Sequence, residues 1–168
     1  YRDPAQLLDE GAAVLTGAWT QQAGGYGGSY RAATGTGSTA VWTFNGLTPG
    51  TYQVAATWAA VSGGGTARYE LRDGATVVTT TNSLYHYNPP NDFTANGVPW
   101  ARLGTMTVTG DTLSVRLFTP SASGQLVADA IRIQRLDGVD HSLDDDFHLL
   151  SGSPAIDGGD PLSYYLSE

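Results

Sequence analysis

The segment LVADAIRIQ, residues 126–134, decides the fold, because it has the pattern of a buried strand with an acid in its centre. Side chains alternate between the two faces of a strand, so Val127, Asp129, Ile131 and Ile133 share one face, which is the apolar one. A carboxylate without partners in an apolar environment costs several kcal/mol. We therefore expect Asp129 to meet hydrogen-bond donors, an arginine or a metal ion.

Three roles for Asp129 remain open from the sequence. A structural hydrogen-bond anchor is favoured, because buried acids are normally paired. A calcium ligand is the second role, since Ca²⁺ takes carboxylate oxygens. Asp9 or Glu10 would join Asp129 in such a site if the first and last strands were neighbours. A catalytic acid is the least favoured role, because no second carboxylate stands at a recognisable spacing.

Short alternating segments separated by glycine turns occupy much of the chain. Ser38–Phe44, Thr51–Ala60 and Ala67–Arg72 alternate apolar and polar side chains, as half-buried strands do. Asp73-Gly74 is a hairpin signal, and no long stretch has a helical period. We expect about eight or nine short strands, which predicts an all-β fold with an antiparallel two-sheet sandwich.

Charge divides the chain into two parts. Residues 1–136 hold eight acids and eight arginines, whereas residues 137–168 hold the other eight acids and no arginine, which accounts for the net charge of −8. We predict a sandwich module over residues 1–136 and an irregular acidic C-terminal tail or linker over residues 137–168, either packed on the sandwich or loose. Its runs Asp144–Asp146 and Asp157 with Asp160 are a second candidate for calcium binding.

Composition excludes several kinds of chemistry. Cysteine and lysine are both absent, so disulfides, thiolate metal sites and lysine Schiff bases are impossible. A neutral body without a basic cluster argues against nucleic acid and anionic membranes as partners, and no apolar run of ~18 residues is present for membrane insertion. His86, His141 and His148 lie in no HExxH or GxSxG pattern, so no enzymatic activity is expected. The glycine-, threonine- and serine-rich composition suits a secreted protein, and we take the chain as a piece of a longer one.

Aromatic residues in two loops are the candidate ligand contacts, because sugar rings stack on exposed aromatic faces. A glycine-rich loop carries Tyr26 and Tyr30, and the long irregular stretch of residues 82–100 carries Tyr85, Tyr87 and Trp100. Packing within the loops is the alternative for these rings, above all for Trp100, which leads directly into a strand. Polar contacts to sugar hydroxyls are expected from nearby side chains, namely Asn88, Asn91, Asp92 and Arg31.

Six short motifs occur in an order that resembles a known family. They are Gly17-Ala18-Trp19, Gly25-Tyr26-Gly27-Gly28-Ser29-Tyr30, Ala40-Val41-Trp42-Thr43-Phe44, Leu47-Thr48-Pro49-Gly50-Thr51-Tyr52-Gln53-Val54, Trp100-Ala101-Arg102-Leu103-Gly104 and Ala128-Asp129-Ala130-Ile131-Arg132-Ile133. Together, over about residues 6–136, they resemble the golvesin C-terminal-like domain, also described as a xanthan-lyase carbohydrate-binding-like module. The resemblance implies a jelly-roll-type β-sandwich with a non-catalytic role, found beside enzymatic or repeat domains in large secreted or cell-surface bacterial proteins.

The C-terminal tail resembles a different kind of segment. Its sequence from Asp146 to Leu149 and from Gly152 to Pro161 is similar to the segment that closes parallel β-helix domains in bacterial surface proteins.

Two functions follow as expectations. The first is a non-catalytic extracellular accessory module that binds polysaccharide through its loop aromatics, with structural calcium as an open question. The second is a structural or adhesive spacer of a large bacterial surface protein, without a small ligand, whose tail docks on a neighbouring domain. Exposed rings at Tyr26, Tyr85 or Tyr87 would favour the first function, and buried rings there would favour the second.

Overall fold

The computed structural model describes residues 4–137, and nearly all of the regular structure in this part of the chain is β-strand. The predicted tail, including its acidic runs, lies outside the described residues apart from Asp137. Two short 3-10 turns interrupt the strands, at Glu10–Ala12 and Tyr26–Gly28. The strands are β1 Gln6–Leu8, β2 Val14–Thr16, β3 Trp19–Ala23, β4 Ser29–Thr34, β5 Thr39–Phe44, β6 Gly50–Thr57, β7 Thr66–Asp73, β8 Thr76–Thr80, β9 Leu84–Tyr85, β10 Phe93–Ala95, β11 Val98–Val108, β12 Leu113–Phe118, β13 Gln125–Ala128 and β14 Ala130–Arg135.

Two large antiparallel sheets form the sandwich. The five-stranded sheet has the order β1-β14-β6-β11-β10, and the six-stranded sheet has the order β2-β5-β12-β7-β8, with β9 also paired to β7. A third sheet, of strand order β13-β4-β3, was not expected from the sequence. The all-β, antiparallel, jelly-roll-like sandwich is confirmed, and the described chain contains more strands than the predicted eight or nine because several are only two to four residues long.

One continuous core lies between the two large sheets. The six-stranded sheet contributes Trp42, Tyr69 and Leu117, and the five-stranded sheet contributes Val54 and Ile133, all of them buried. Burial of each large apolar side chain contributes about 1.5–3 kcal/mol. The predicted alternation is confirmed in β5 and β7, and so is the hairpin at Asp73-Gly74, which joins β7 to β8. In β6 the predicted inward residues are buried, but Ala55 and Thr57 on the other side are buried as well.

The segment 126–134 differs from its prediction. It is two strands in different sheets rather than one, because β13 pairs with β4 while β14 pairs with β6 and β1. Asp129 is the residue between these two strands. Ala128 and Ala130, which the alternation placed on the outward face, are buried. The alternation fails here because the chain crosses from one sheet to another inside the protein and is covered on both sides.

A smaller cluster covers the outer face of the five-stranded sheet. It consists of buried Ala55, Trp100 and Ala130, with Tyr26 and Phe93 packed against them. Strand β10 and the start of β11 therefore shield part of a face that would otherwise be solvated. Among residues 4–137, no helix has the length and apolar character needed to cross a membrane.

Candidate functional site

Three carboxylates meet where β1 pairs with β14, which are the first and last strands of the five-stranded sheet in chain order. In the antiparallel pairing of β1 with β14, Leu8 lies opposite Ile131. Asp9 and Glu10, which follow β1, therefore lie beside Asp129, which precedes β14. Oxygen atoms of the three carboxylates lie within 4.8 Å of one another. We call these three residues the acidic cluster. β1 and β14, the first and last strands of the described residues, are thus neighbours, which was the condition for Asp9 or Glu10 to meet Asp129.

Few hydrogen bonds reach the acidic cluster. The backbone N–H of Tyr26 donates to both oxygens of Asp129, at 3.0 and 3.1 Å. The Ser29 hydroxyl donates to Glu10, whose own N–H donates to Oδ1 of Asp9 at 2.8 Å. Asp129 is thus partly satisfied as a hydrogen-bond anchor, although it is only 1% exposed. These donors are neutral groups, so they do not cancel the negative charge of the cluster.

The glycine-rich loop encloses the acidic cluster. Gly25 and Gly27 have φ values of 72° and 67°, which favour glycine. A Cβ at Gly25 would overlap the carboxylate of Asp129, and a Cβ at Gly27 would overlap that of Asp9. From the sequence, only the tyrosines of this loop were candidates for a functional role. Its glycines are needed because the backbone comes closer to the carboxylates than a side chain would allow.

Burial and mutual repulsion shift the titration of the cluster. Burial, aided by the charges of Asp9 and Glu10, raises the pKa of Asp129 to about 7, against the opposing hydrogen bond from Tyr26. Burial and the neighbouring Glu10 raise the pKa of Asp9 to about 6. Burial also opposes ionisation of Glu10, but hydrogen bonds from Asp9 and Ser29 outweigh it and lower the pKa of Glu10. At neutral pH the cluster therefore needs protons or a cation.

The acidic cluster has the donors and the dimensions of a calcium site. Ca²⁺ binds carboxylate oxygens at about 2.3–2.6 Å, so two ligands of one ion are at most about 5 Å apart. The spacing within 4.8 Å meets this condition. The glycine-rich loop lies so close to the carboxylates that no side chain would fit between the loop and the cluster. An ion bound among the carboxylate oxygens does not need that space.

A pair of exposed tyrosines forms a second feature. Tyr85 and Tyr87 are 50% and 51% exposed, and their ring centroids lie 5.5 Å apart at an interplanar angle of 47°. We call these residues the tyrosine pair. His86 between them is fully buried. The N–H of Asn88 donates to the carbonyl oxygen of Tyr85 at 3.1 Å, so residues 85–88 form a turn, with His86 buried and both tyrosines exposed.

His86 anchors the tyrosine pair to the core. Its Nδ1 accepts the N–H of Val127 at 2.9 Å, so its proton is on Nε2, which lies 3.2 Å from the hydroxyl oxygen of Tyr69. Its ring stacks on Trp58 at 4.8 Å, and the Trp58 indole N–H donates to the carbonyl oxygen of Asn88 at 2.7 Å. Burial lowers the pKa of His86 to about 3, so the ring is neutral. The sequence carried no signal for this arrangement, because it depends on contacts of His86 with Trp58, Tyr69 and Val127.

Glycine backbone forms the floor beside the tyrosine pair. An open depression of about 290 Å³ is lined by the pair together with Gly64, Gly65, Thr66, Ser123 and Gly124. The N–H of His86 donates to the carbonyl oxygen of Gly65 at 2.9 Å. A Cβ at Gly64 would overlap the backbone of residues 86 and 87. The glycines therefore allow the aromatic segment to lie directly on the body of the domain.

The other proposed ligand residues have different surroundings. Trp100 is 0% exposed and its indole N–H donates to the carbonyl oxygen of Ala95 at 2.8 Å, so its assignment as a ligand contact is wrong. Tyr26 is half-buried at 6.2 Å from Trp100, and Tyr30 is half-buried against the main core. The carboxylate of exposed Asp92 accepts the N–H of Arg102 at 2.7 Å, at the open end of the β10–β11 hairpin.

Asn88 and Arg31, two of the other predicted polar contacts, lie in different places. Asn88 is exposed and follows the tyrosine pair directly. Arg31 is half-buried on β4, and its charge helps to lower the pKa of Glu10, so it acts on the acidic cluster. Of these two residues, Asn88 is therefore the one that stands beside the tyrosine pair.

Comparisons with known protein families and structures agree with the β-sandwich fold described above. The family model described as the golvesin C-terminal domain matches residues 6–135. The structure resembles that of a Paenibacillus xanthan lyase, with a TM-score of 0.65 and 21% identity over 79% of this chain and 13% of the lyase chain. This chain therefore spans about one eighth of that enzyme. No curated protein sequence matches it.

Two separate carbohydrate-binding modules have the same fold. The C-terminal CBM6 of a marine laminarinase from Zobellia galactanivorans matches with a TM-score of 0.55 and 17% identity, over 79% of this chain and 100% of that one. A family 35 carbohydrate binding module from Clostridium thermocellum matches with a TM-score of 0.54 and 15% identity, over 78% and 98% of the two chains. At these identities the comparisons show a shared fold.

Proposed function

The chain belongs to the golvesin C-terminal domain family, and from that premise we propose that it is a non-catalytic accessory module that binds polysaccharide at the tyrosine pair. The observation that supports this most directly is the exposure of two neighbouring tyrosine rings on a segment whose central residue is buried. The shared fold with carbohydrate-binding modules of other proteins also supports it. Exposed rings at these positions were the expectation that distinguished a binding module from a spacer.

The tyrosine pair suits stacking against sugar rings. The C–H rows of a pyranose meet the aromatic face, while its hydroxyls extend past the ring edge to polar partners. Asn88, Thr66 and Ser123 stand beside the pair or line its depression and are the partners that we propose for those hydroxyls. His86 and Trp58 hold the segment in place before any ligand arrives, which reduces the entropic cost of binding.

A calcium ion in the acidic cluster is part of the proposal. Asp9, Glu10 and Asp129 would hold it and so join the chain ends of the module at the pairing of β1 with β14. Because this cluster is a separate feature from the tyrosine pair, we assign the ion a structural role. Calcium would add positive charge to the three neighbouring carboxylates, beyond that which Arg31 supplies to Glu10.

We also propose that this module acts within a larger extracellular protein. Residues 1–136 would form the binding module and residues 137–168 a linker or docking segment towards neighbouring domains. The family assignment supports an extracellular bacterial setting, either secreted or at the cell surface. In this setting the module would hold its parent protein close to a polysaccharide.

Affinity gel electrophoresis tests the tyrosine pair. The wild-type chain is run through gels containing laminarin, galactan, mannan or xylan, beside Tyr85→Ala and Tyr87→Ala. Loss of one stacking ring costs about 1.4 kcal/mol, so we expect about tenfold weaker binding for each alanine variant. Tyr85→Phe keeps the ring and should retain most of the affinity.

Val14→Ala is the matched control, because Val14 is an exposed apolar residue on β2 in a different part of the sandwich. Its binding should equal that of the wild type. If no polysaccharide retards the wild-type chain, or if the tyrosine variants bind as well as the control, the spacer function replaces the binding function.

A further inference from the structure

Two arginines and a phenylalanine form a cluster on the outer face of the five-stranded sheet. The guanidinium carbon of Arg102 lies 4.8 Å from the centroid of the Phe93 ring, and that of Arg132 lies 5.6 Å from the same centroid. The two positive charges are therefore no more than about 10 Å apart. We call these three residues the arginine–phenylalanine cluster.

Strand register brings the cluster together. Arg132 on β14 and Arg102 on β11 both lie opposite Ala55 of β6, one on each side of it. Because Ala55 is small, the two long side chains extend over the same part of the face. Phe93 packs on Ala55 from β10, which pairs with β11. Three neighbouring strands and an added edge strand thus hold the cluster in a fixed arrangement.

Within residues 4–137 the charges of this cluster have no negative partner. Among residues 4–137, no carboxylate lies within ion-pair distance of either guanidinium group. Arg102 donates to the carbonyl oxygen of Asp92 and Arg132 donates to the amide oxygen of Gln134, both at 3.2 Å. The Nε of Arg132 is buried without a hydrogen-bond partner. Burial lowers the pKa of Arg132, which is the cost of keeping this charge unpaired.

The other large sheet carries a similar contact that is neutralised. Arg116 lies 4.9 Å from the centroid of Phe118, but its guanidinium also pairs with Glu70 at 3.0 Å. Arg72 pairs with the same carboxylate. The described residues therefore supply an acid for the contact of Arg116 with Phe118, but none for the contacts of Arg102 and Arg132 with Phe93. This difference leaves the guanidinium groups of Arg102 and Arg132 open to a negative partner from outside the described residues.

We infer that the arginine–phenylalanine cluster is a second glycan site, separate from the tyrosine pair and selective for polysaccharides that carry uronic-acid carboxylates. A guanidinium fork binds a carboxylate through two parallel hydrogen bonds, and the Phe93 ring holds the two guanidinium groups in place through cation–π contacts. Two guanidinium groups around one ring favour an acidic sugar chain over a neutral one. The inference rests on the proposed function in so far as the ligand is a polysaccharide, but it uses different residues.

The test compares polygalacturonate with its methyl-esterified form, which has the same backbone without the charge. Binding is measured by isothermal titration calorimetry with the full chain at two salt concentrations. We expect the wild type to bind polygalacturonate at least tenfold more tightly than the ester. The double variant Arg102→Gln with Arg132→Gln should lose about tenfold or more of this affinity, because charged hydrogen bonds are removed.

The double variant Arg72→Gln with Arg116→Gln is the matched control, because it removes the same net charge from the opposite sheet. It should keep its affinity for polygalacturonate. If both double variants lost the same affinity for polygalacturonate, net charge alone would explain the binding and the inference would be overturned. So would the absence of polygalacturonate binding by the wild type.

The tyrosine variants separate this inference from the proposed function. Tyr85→Ala should weaken binding to neutral glycans and leave the preference for the charged polymer over its ester intact. If Tyr85→Ala abolishes polygalacturonate binding while the Arg102 and Arg132 double variant binds normally, the second site is overturned and the proposed function stands. Thermal melting of each variant verifies that it is folded.

Discussion

Replacing Asp129 by asparagine tests the physical reasoning behind the acidic cluster. In the metal-free protein, burial holds the pKa of Asp129 at about 7, compared with 3.8 for a solvated carboxyl. The folded state therefore keeps a proton that the unfolded state releases. Below pH 4 both states are protonated and Asp129 imposes no cost. As pH rises towards 7 the unfolded state ionises first, so stability falls; above pH 7 the full penalty remains.

The size of the effect follows from the shift. About three pKa units at 1.36 kcal/mol each correspond to about 4 kcal/mol. Asp9 shifts in the same direction but is more exposed and coupled to Glu10, so we assign it no separate share. Asparagine at position 129 cannot ionise. The difference in unfolding free energy between wild type and Asp129→Asn should therefore change by about 4 kcal/mol between pH 4 and pH 8, in favour of the variant at pH 8.

Urea unfolding followed by tryptophan fluorescence measures this difference, in EDTA and again in excess CaCl₂. Calcium at a hundred times its dissociation constant should stabilise the wild type by about 2.7 kcal/mol, and the variant by much less. Asp111→Asn, which removes an exposed carboxylate from a turn, is the control. Parallel pH profiles for the wild type and Asp129→Asn in EDTA would refute the reasoning about burial. An unchanged wild-type stability in calcium would remove the metal site alone.

Three further substitutions test the glycines and the buried histidine. Gly64→Ala should lower both stability and polysaccharide binding because its Cβ meets the backbone beneath the tyrosine pair, whereas Gly63→Ala, with only a distant contact, should do neither; melting and affinity gels compare them. Gly25→Ala should destabilise more than Gly28→Ala in urea unfolding, since both have positive φ but only the first meets a carboxylate. Equal losses of stability in the two variants would mean that backbone strain at positive φ explains the whole loss, without a contribution from the carboxylate. His86→Ala should cost ~3–5 kcal/mol in urea unfolding, since it leaves a cavity and an unpaired N–H on β13; a loss under 1 kcal/mol would contradict the anchoring role.

The fold was predictable where each strand has one covered and one solvated face. Strands β5 and β7 alternate for this reason, and their inward residues were identified from the sequence, whereas β6 is also covered on its outer face at Ala55. The segment 126–134 was not, because burial on both sides removes the alternation. The third sheet was also missed. Its strands β3, β4 and β13 come from opposite ends of the domain sequence, and no local pattern shows which strands will pair.

The site was predictable in its chemistry more than in its arrangement. An acid in an apolar strand required partners, and the neighbouring chain ends indicated Asp9 and Glu10. The enclosing role of Gly25 could not be read from the sequence, because it depends on contact with a residue more than a hundred positions away. Trp100 was assigned wrongly to the ligand, because its burial depends on β10 folding over it.

The sequence by itself determined the class of fold, the buried acid that needs compensation and the aromatic residues available for a ligand. These properties follow from local periodicity and from the cost of burying charge, which each short segment carries with it. Only the tertiary structure decided which rings reach solvent, which carboxylates share one space and which arginines have no acid beside them among residues 4–137. Those outcomes depend on strand register and sheet pairing, which bring together residues that are far apart along the chain.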